Sequence, residues 1–486
     1  MTLATLAAAC EATLRGPGAA RVTGITHRAQ AARPEWVFAA LPGARHHGAE
    51  FIADAVRAGA VAVLSDRDPG PDTPWLASAA PRRATALAAW ELAGRPDRRL
   101  TMIGITGTNG KSTVAALVGR IATAAGHAPG VFGTVAYVLP SRREHAARTT
   151  PEATELAPLL DELVAGQGDI AVMEVSSHAL ALDRVAGLEF DVAVWTNLTR
   201  DHLDFHGSLE SYFECKRRLA DLLRHEPPGR RVIGADDPFA ARLIAEPRPG
   251  DISFGFGPGC DVRASALTDD IAGTHFVLHT PAFTTPVRFP LVGRHNVHNA
   301  LAAAAAAVAL GWPAETVVAG LESAQPLPGR LERVDAAVPF PIFVDYAHTP
   351  DALERVLSAL RELGDRRLVV VFGCGGDRDP GKRAPMGEVV GRLADIPIVT
   401  SDNPRSEDPD AIIAQVLAGV RAAGNVRALA IPDRREAIAA ALSLADERAL
   451  VLVAGKGHET EQIFADRTVP FDDRQVVLEL AKRRRP

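Results

Sequence analysis

The sequence predicts an α/β protein of three domains, with mainly parallel sheets in the central and third. Short apolar runs alternate with helical patterns from about residue 100 to the end, and several runs stop at glycine-rich or polar clusters. Length is the other guide: 486 residues exceed one core, and roughly 100 to 200 residues per domain suggests about three. The polar stretch Gly94-Arg95-Pro96-Asp97-Arg98 reads as a linker, and Gln325-Pro326-Leu327-Pro328-Gly329-Arg330 as a joint. The expected domains are therefore residues 1–99, 100–327 and 328–486.

In the first, Val61–Leu64 reads as a strand and Ala84–Leu92 as a helix. In the second, Leu100–Thr106 reads as a buried strand, followed by a helix with Val114, Leu117, Val118 and Ile121 on one face. Ile170–Met173 and Val192–Trp195 are further strands whose carboxyl ends carry polar clusters, where parallel sheets bind ligands. Arg367–Phe372, Ile396–Val399 and Ala449–Ala454 alternate with helices, giving a Rossmann-like third domain. The terminal Lys482-Arg483-Arg484-Arg485 reads as a solvated tail.

Lys plus Arg is 53 against 59 for Asp plus Glu, and a net charge of -6 offers no field for wrapping nucleic acid. The ligand is expected to be small. Cys10, Cys215, Cys260 and Cys374 lie far apart, as suits reduced thiols. No signal segment stands at the N-terminus, and the Ala-rich run Leu301–Leu310 is too short to span a bilayer. A cytoplasmic protein without a membrane span is expected.

Between strand and helix lies Gly107-Thr108-Asn109-Gly110-Lys111-Ser112-Thr113, where backbone N–H groups and the helix dipole favour phosphate. Lys111 would neutralise β/γ-phosphates and Ser112 would offer an oxygen to Mg²⁺. Ile105 stands where the strict phosphate-loop pattern has its first glycine. Glu174 and His178 follow one strand; His202, Asp204 and His206 follow the next. A carboxylate is an ordinary Mg²⁺ ligand, whereas a histidine is unusual. Lys216, in the helical run Ser211–Leu219, would by residue type be a solvated cation.

The form GTNGKS after an Ile-rich strand resembles the phosphate loop of the Mur ligases and their folylpolyglutamate synthetase relatives. At least eight motifs in family order, from about residue 24 to 475, extend the resemblance. It implies ATP-dependent amide-bond formation in cytoplasmic peptidoglycan synthesis, serving cell shape and division. The matching Glu174 and His202 would hold a second Mg²⁺, and Lys216 would be carbamylated by CO₂ (N6-carboxylysine) into a carboxylate-like metal ligand. Gly293-Arg294-His295-Asn296-Val297-His298-Asn299 resembles the adenine-side motif, with Asn299 on the base; Arg330 would reach the ATP phosphates and Asp345 the ribose. A site split between domains implies closure that excludes water.

At the nucleotide-sugar end, Ala40-Leu41-Pro42-Gly43 and His46-His47-Gly48 resemble the uridine region, with Thr26, Arg28 and His46 as contacts. Thr26-His27-Arg28 replaces the usual Asp-Ser-Arg, which removes the serine contact to uracil. Thr149, Thr150, Ser176 and Arg184 match positions that hold a UDP-N-acetylmuramoyl-L-Ala-D-Glu substrate. In the third domain Asp402-Asn403-Pro404-Arg405-Ser406-Glu407 and Gly455-Lys456-Gly457-His458-Glu459 follow apolar strands. Asp402, Asn403, Arg405, Gly455 and Glu459, with Arg378, would hold meso-diaminopimelate, Arg405 gripping its extra carboxylate. The resemblance implies a monomer. Rival readings are a lysine-adding Mur ligase, a folylpolyglutamate synthetase-like ligase, and a nucleotide-switched binding protein.

Overall fold

The computed structural model describes residues 1–43, 46–270 and 272–483. By internal contacts the chain falls into two units, residues 1–263 with 302–320, and residues 264–301 with 321–486.

The first unit opens with α1 (Leu3–Ala9), β1 (Thr13–Arg15), β2 (Gly24–Thr26), β3 (Trp36–Ala39), α2 (Ile52–Arg57), β4 (Ala62–Ser65), β5 (Trp75–Ala77) and α3 (Pro81–Leu92). Its five strands form their own sheet, ordered β1-β5-β4-β3-β2, parallel except at β1. The stretch expected as a linker is folded instead. Arg95 takes a left-handed backbone and its guanidinium holds Asp97, which is completely buried. Trp90 on α3 donates to the Ala186 carbonyl at 2.8 Å, and one apolar cluster runs from Leu3 through Trp90 to Leu243. The first 99 residues thus share a core with strands and helices that come after them in this unit.

Next come β6 (Thr101–Thr106), α4 (Lys111–Ala124), β7 (Pro129–Phe132), β8 (Ala136–Val138), β9 (Arg143–His145), α5 (Ala153–Ala165), β10 (Ile170–Glu174), α6 (Ser177–Ala181), β11 (Val192–Trp195), α7 (Leu203–His206), α8 (Leu209–Arg217), β12 (Arg230–Gly234), α9 (Pro238–Ile244) and β13 (Ile252–Gly255). Strands of this unit are ordered β13-β12-β11-β6-β10-β7-β8-β9. β6 runs parallel between β10 and β11, in register Glu174 with Ile105 and Trp195 with Thr106. The central strand, its phosphate loop and both flanking clusters therefore end on one edge. Val114, Leu117, Val118 and Ile121 are buried, as the helical period requires.

β14 (Val262–Asp270) carries the chain into the second unit, followed by the hairpin β15 (Gly273–His279) and β16 (Thr284–Phe289), then α10 (Arg294–Ala309), which returns to the first, and α11 (Ala314–Glu322). The second unit continues with β17 (Glu332–Arg333), β18 (Ile342–Asp345), α12 (Pro350–Glu362), β19 (Arg367–Phe372), α13 (Arg383–Leu393), β20 (Ile396–Val399), α14 (Pro409–Ala422), β21 (Leu429–Ala430), α15 (Arg434–Leu444), β22 (Ala449–Ala454), β23 (Glu461–Ile463), β24 (Thr468–Pro470) and α16 (Asp473–Lys482). Its sheet order is β17-β18-β22-β19-β20-β21, parallel except at β17. The expected basic tail begins in α16; Arg484 and Arg485 lie outside the described residues.

Within this unit Arg434 and Asp473 form a wholly buried bidentate pair, at 2.8 and 2.7 Å, and Arg434 also donates to the Ala454 carbonyl. Breaking one side of such a pair strands a buried charge. Asp473→Ala is expected to cost about 3–5 kcal/mol of unfolding free energy, checked by urea denaturation followed by circular dichroism.

Candidate active site

The phosphate loop is shaped by the end of β11. Gly107 has φ +146, and a Cβ there would lie 1.9 Å from Thr196 Oγ1, so only glycine fits. Thr196 Oγ1 donates to the Asn109 carbonyl at 2.7 Å; Asn197 receives Thr108 N on its carbonyl and Asn109 N on Oδ1, at 2.8 and 2.9 Å. Thr108 Oγ1 receives Thr199 N at 3.0 Å. Gly110, at φ +88, opens α4, whose first residues are Lys111, Ser112 and Thr113. Ile105, at the first-glycine position of the strict pattern, lies inside β6 and is completely buried.

Two lysines meet on this loop. Lys111 Nζ donates to the carbonyls of Gly107 and Thr108, both at 2.9 Å. Lys216 Nζ, from α8, donates to the same Gly107 carbonyl at 2.8 Å. Lys216 is 2% exposed, its amine 4.5 Å from the Tyr212 ring centroid. Burial, and then the Lys111 charge, push its pKa well below the ordinary lysine value. The residue that composition alone would place in solvent is the most enclosed cation beside the loop.

Glu174, at the end of β10, is 1% exposed. Thr134 fixes both its oxygens, N donating to Oε1 at 2.7 Å and Oγ1 to Oε2 at 3.1 Å. Thr134 carried no sequence signal of its own, since it comes from the turn after β7. His178, His202, His206, Phe205 and Tyr212 form a ring cluster, with His178 4.9 Å from His202 and 4.3 Å from Phe205 between centroids. His202 has a left-handed backbone at φ +53, and its Nε2 stands 3.5 Å from Asp201 Oδ2. Among the described residues no group of three or more His, Cys, Asp or Glu side chains is arranged to hold a metal ion.

Thr149 Oγ1 meets Thr134 Oγ1 at 3.0 Å. Thr150 Oγ1 donates to the Glu174 carbonyl and receives Ser176 N, while Arg184 donates to the Thr150 carbonyl and pairs with Glu152. Thr150 thus bonds the Glu174 backbone directly, Thr149 reaches its carboxylate through Thr134, and Ser176 and Arg184 attach to Thr150. Thr26 caps Arg28 N at 3.1 Å; Arg28 pairs with Glu155, and His27 Nδ1 meets Thr154 Oγ1 at 2.7 Å. The imidazole that replaces serine is thus engaged with the start of α5. His46 is exposed and meets Glu50 at 3.2 Å.

Asn299, Arg330 and Asp345 lie in the second unit. Asn299 is buried and donates to Asn296 Oδ1 at 3.4 Å. Arg330 stacks over Tyr346, 4.8 Å from its centroid. Asp345 accepts the backbone N–H groups of Leu331 and Ala347, so its carboxylate ties the Arg330 turn to β18.

Four loops of this unit follow the parallel strands β18, β19, β20 and β22 on one edge. Arg405 has a left-handed backbone at φ +54, secured by its N–H to the Ile463 carbonyl at 3.0 Å, and Nη1 donates to the Gly376 carbonyl at 2.7 Å. Asn403 Nδ2 donates to Glu459 Oε2 at 2.8 Å. Gly455 needs its φ of +117, since a Cβ would stand 2.9 Å from Asp402 Oδ2. Arg378 is exposed on the loop after β19.

Family models match two stretches of the chain, the Mur ligase middle domain over residues 105–307 and the Mur ligase glutamate ligase domain over residues 329–457. A UDP-N-acetylmuramoyl-L-alanyl-D-glutamate--2,6-diaminopimelate ligase of Solibacter usitatus is 44% identical over 463 residues, 95% of this chain and 94% of that protein. The chain belongs to the Mur ligase family. The same-named protein of Geobacillus kaustophilus is 43% identical over 92% of both chains. A solved structure, also named a UDP-N-acetylmuramoyl-L-alanyl-D-glutamate--2,6-diaminopimelate ligase, aligns with TM-score 0.69 and 32% identity over 95% of each chain. As a Mur ligase the protein has the three-domain α/β architecture of that family.

His178 generates a pH prediction. Burial first, then the charges of His202, His206 and Arg184, lower its pKa from 6.5 to about 4. The unfolded chain therefore takes up a proton below 6.5 that the folded chain refuses, so stability falls as pH drops from 6.5 toward 4. Acidifying from about pH 7 to about 5 is expected to lower the thermal midpoint of the wild type more than that of His178→Gln. Equal falls would assign the acid sensitivity elsewhere.

Proposed function

We propose that this Mur ligase joins meso-diaminopimelate to the D-Glu carboxylate of UDP-N-acetylmuramoyl-L-alanyl-D-glutamate, with ATP as co-substrate, in peptidoglycan synthesis. The carboxylate attacks the γ-phosphate of ATP, giving an acyl phosphate and ADP; the amine of diaminopimelate then displaces phosphate and loses its proton. Catalysis is mainly positioning and charge neutralisation. The relatives' names and their near-full-length similarity support the substrates. We place the domain boundaries near residues 99 and 327, and the enzyme in the cytoplasm as a monomer. No helix among the described residues is long and apolar enough to cross a membrane.

The observation that carries the ligation chemistry is Lys216. A buried ammonium beside Lys111 is costly, and burial holds its amine toward the neutral form. That form can add to CO₂ and release a proton, leaving a carbamate. Mg²⁺ binds through one or two carboxylates together with waters and phosphate oxygens, and Glu174 is a carboxylate on the strand edge that carries the loop. Ser112, Glu174, His202 and carbamylated Lys216 are the residues to hold it, and when bound it would neutralise charge on the transferred phosphoryl group. Thr134 keeps the Glu174 carboxylate oriented, Lys111 faces the phosphates with Gly107–Thr113, and Asn299, Arg330 and Asp345 serve adenine, phosphate and ribose. Thr26, Arg28 and His46 serve the uridine end; Thr149, Thr150, Ser176 and Arg184 serve the muramoyl-dipeptide.

Lys216→Ala is expected to be nearly inactive and to regain turnover with added short-chain carboxylic acids, which replace the carbamate. A fully active Lys216→Ala enzyme would remove this residue from the reaction.

The amino-acid choice rests on Arg405. A non-glycine residue in the left-handed region costs of order 1–3 kcal/mol, and at Arg405 the N–H bond to the Ile463 carbonyl holds the backbone there. The Gly376 carbonyl holds one nitrogen of the guanidinium, and a planar guanidinium fork suits bidentate pairing with a carboxylate, which supports reading Arg405 as the partner of the distal carboxylate. Asp402, Asn403, Gly455, Glu459 and Arg378 complete the amino-acid site. Arg405→Ala is expected to lose about 2–5 kcal/mol in transition-state stabilisation for diaminopimelate and far less for lysine. The deciding measurement is kcat/KM for both amino acids: an unchanged ratio means that Arg405 is not the selector.

A further inference from the structure

The second unit contains a buried cation that the proposed chemistry leaves without a task. Lys456, just after β22, is 0% exposed. Its ammonium donates to Asn403 Oδ1 at 3.1 Å and Glu459 Oε2 at 3.0 Å, and stands 3.9 Å from Asp402 Oδ1. Asn403 completes a triangle by donating to the same Glu459 oxygen, while its Oδ1 also accepts Ile463 N at 3.0 Å. Three residues of the amino-acid cluster thus converge on one ammonium.

The neighbouring buried cation is already balanced. Arg434 is paired bidentately with Asp473, so Lys456 is the cation in direct contact with Asp402 and Glu459. Two carboxylates against one ammonium leave one negative charge. Glu459 keeps 32% of its side chain exposed whereas the ammonium has none, so the carboxylate can reach a ligand and Lys456 cannot. A buried ammonium is also an expensive way to fill a volume that an apolar chain would occupy.

We propose that Lys456 is a positioning residue for amino-acid selection: it locks Asn403 and Glu459 into one orientation and cancels one carboxylate, so that the cluster accepts a single distal substrate ammonium. The inference rests on the reading of this cluster as the amino-acid site. Without Lys456, Glu459 would swing into solvent and two unbalanced carboxylates would remain. Affinity for the amino acid would then fall, while ATP and the nucleotide-sugar substrate, which this ammonium does not touch, would bind as before.

The test uses the full chain. Wild-type enzyme is first assayed with meso-diaminopimelate; absence of turnover overturns the site reading and this inference with it. Lys456→Met, Lys456→Gln, Glu459→Gln and the double variant Lys456→Met/Glu459→Gln are then compared by steady-state kinetics and thermal midpoint. The expected result for either Lys456 variant is a KM for meso-diaminopimelate raised on the order of ten- to a hundredfold, as for loss of a charged hydrogen-bond partner. KM for the other two substrates should stay within about twofold, and the double variant should be little worse than Glu459→Gln, because coupled residues are not additive. An unchanged KM for the amino acid, a parallel rise in all three KM values, or losses that multiply in the double variant would each overturn the proposal. Failure of both Lys456 variants to fold would assign the ammonium to stability alone and overturn it too.

Discussion

The carbonyl oxygen of Gly107 accepts hydrogen bonds from two lysines, and much of the first unit is arranged around that convergence. Lys111 reaches it from the first turn of α4 and Lys216 from α8, about a hundred residues later. Two cations at one acceptor repel each other, so the arrangement is sustained by the rigid loop and by the shift of Lys216 toward neutrality. The loop is rigid because Thr196 and Asn197 bond its backbone from the end of β11. β6 lies between β10 and β11, which brings Glu174 to the same edge from the other side. One parallel register thus gathers a phosphate loop, a carboxylate and a lysine whose amine can change its charge.

The second unit gathers its polar loops by the same device. Loops after β18, β19, β20 and β22 share one edge of a parallel sheet, and their polar groups are mostly bonded to one another. Asp345 ties two backbone N–H groups, Asn403 bridges Glu459 and Ile463, and Gln462 holds the Asp402 carbonyl. Such networks are rigid when satisfied, which is what the proposed amino-acid site would need to tell apart ligands that differ by one carboxylate. The left-handed backbone at Arg405 is the local strain that this rigidity supports.

Sequence patterns located the strands well because buried parallel strands are continuous apolar runs. Val192–Trp195, Arg367–Phe372, Ile396–Val399 and Ala449–Ala454 are found as read, and β6 starts one residue later than the apolar run. The stretch Gly94–Arg98, read as a linker, is folded for a physical reason: a polar stretch can bury its charge when Arg95 folds back onto Asp97. Thr134 and Lys456 carried no assigned role, since a threonine in a turn and a lysine inside a motif declare their partners only in three dimensions.

By itself, then, the sequence determined the α/β class, the strand ends that carry chemistry, and the family, because periodicity and motif spacing are local properties of the chain. Tertiary structure alone decided the environment of each group. Whether Lys216 is a solvated cation or an enclosed amine, and whether Lys456 is a surface charge or the hub of an ion cluster, depends on desolvation and on charges brought from distant segments. Those are energies of burial and proximity, which only the folded arrangement of helices on the sheets can set.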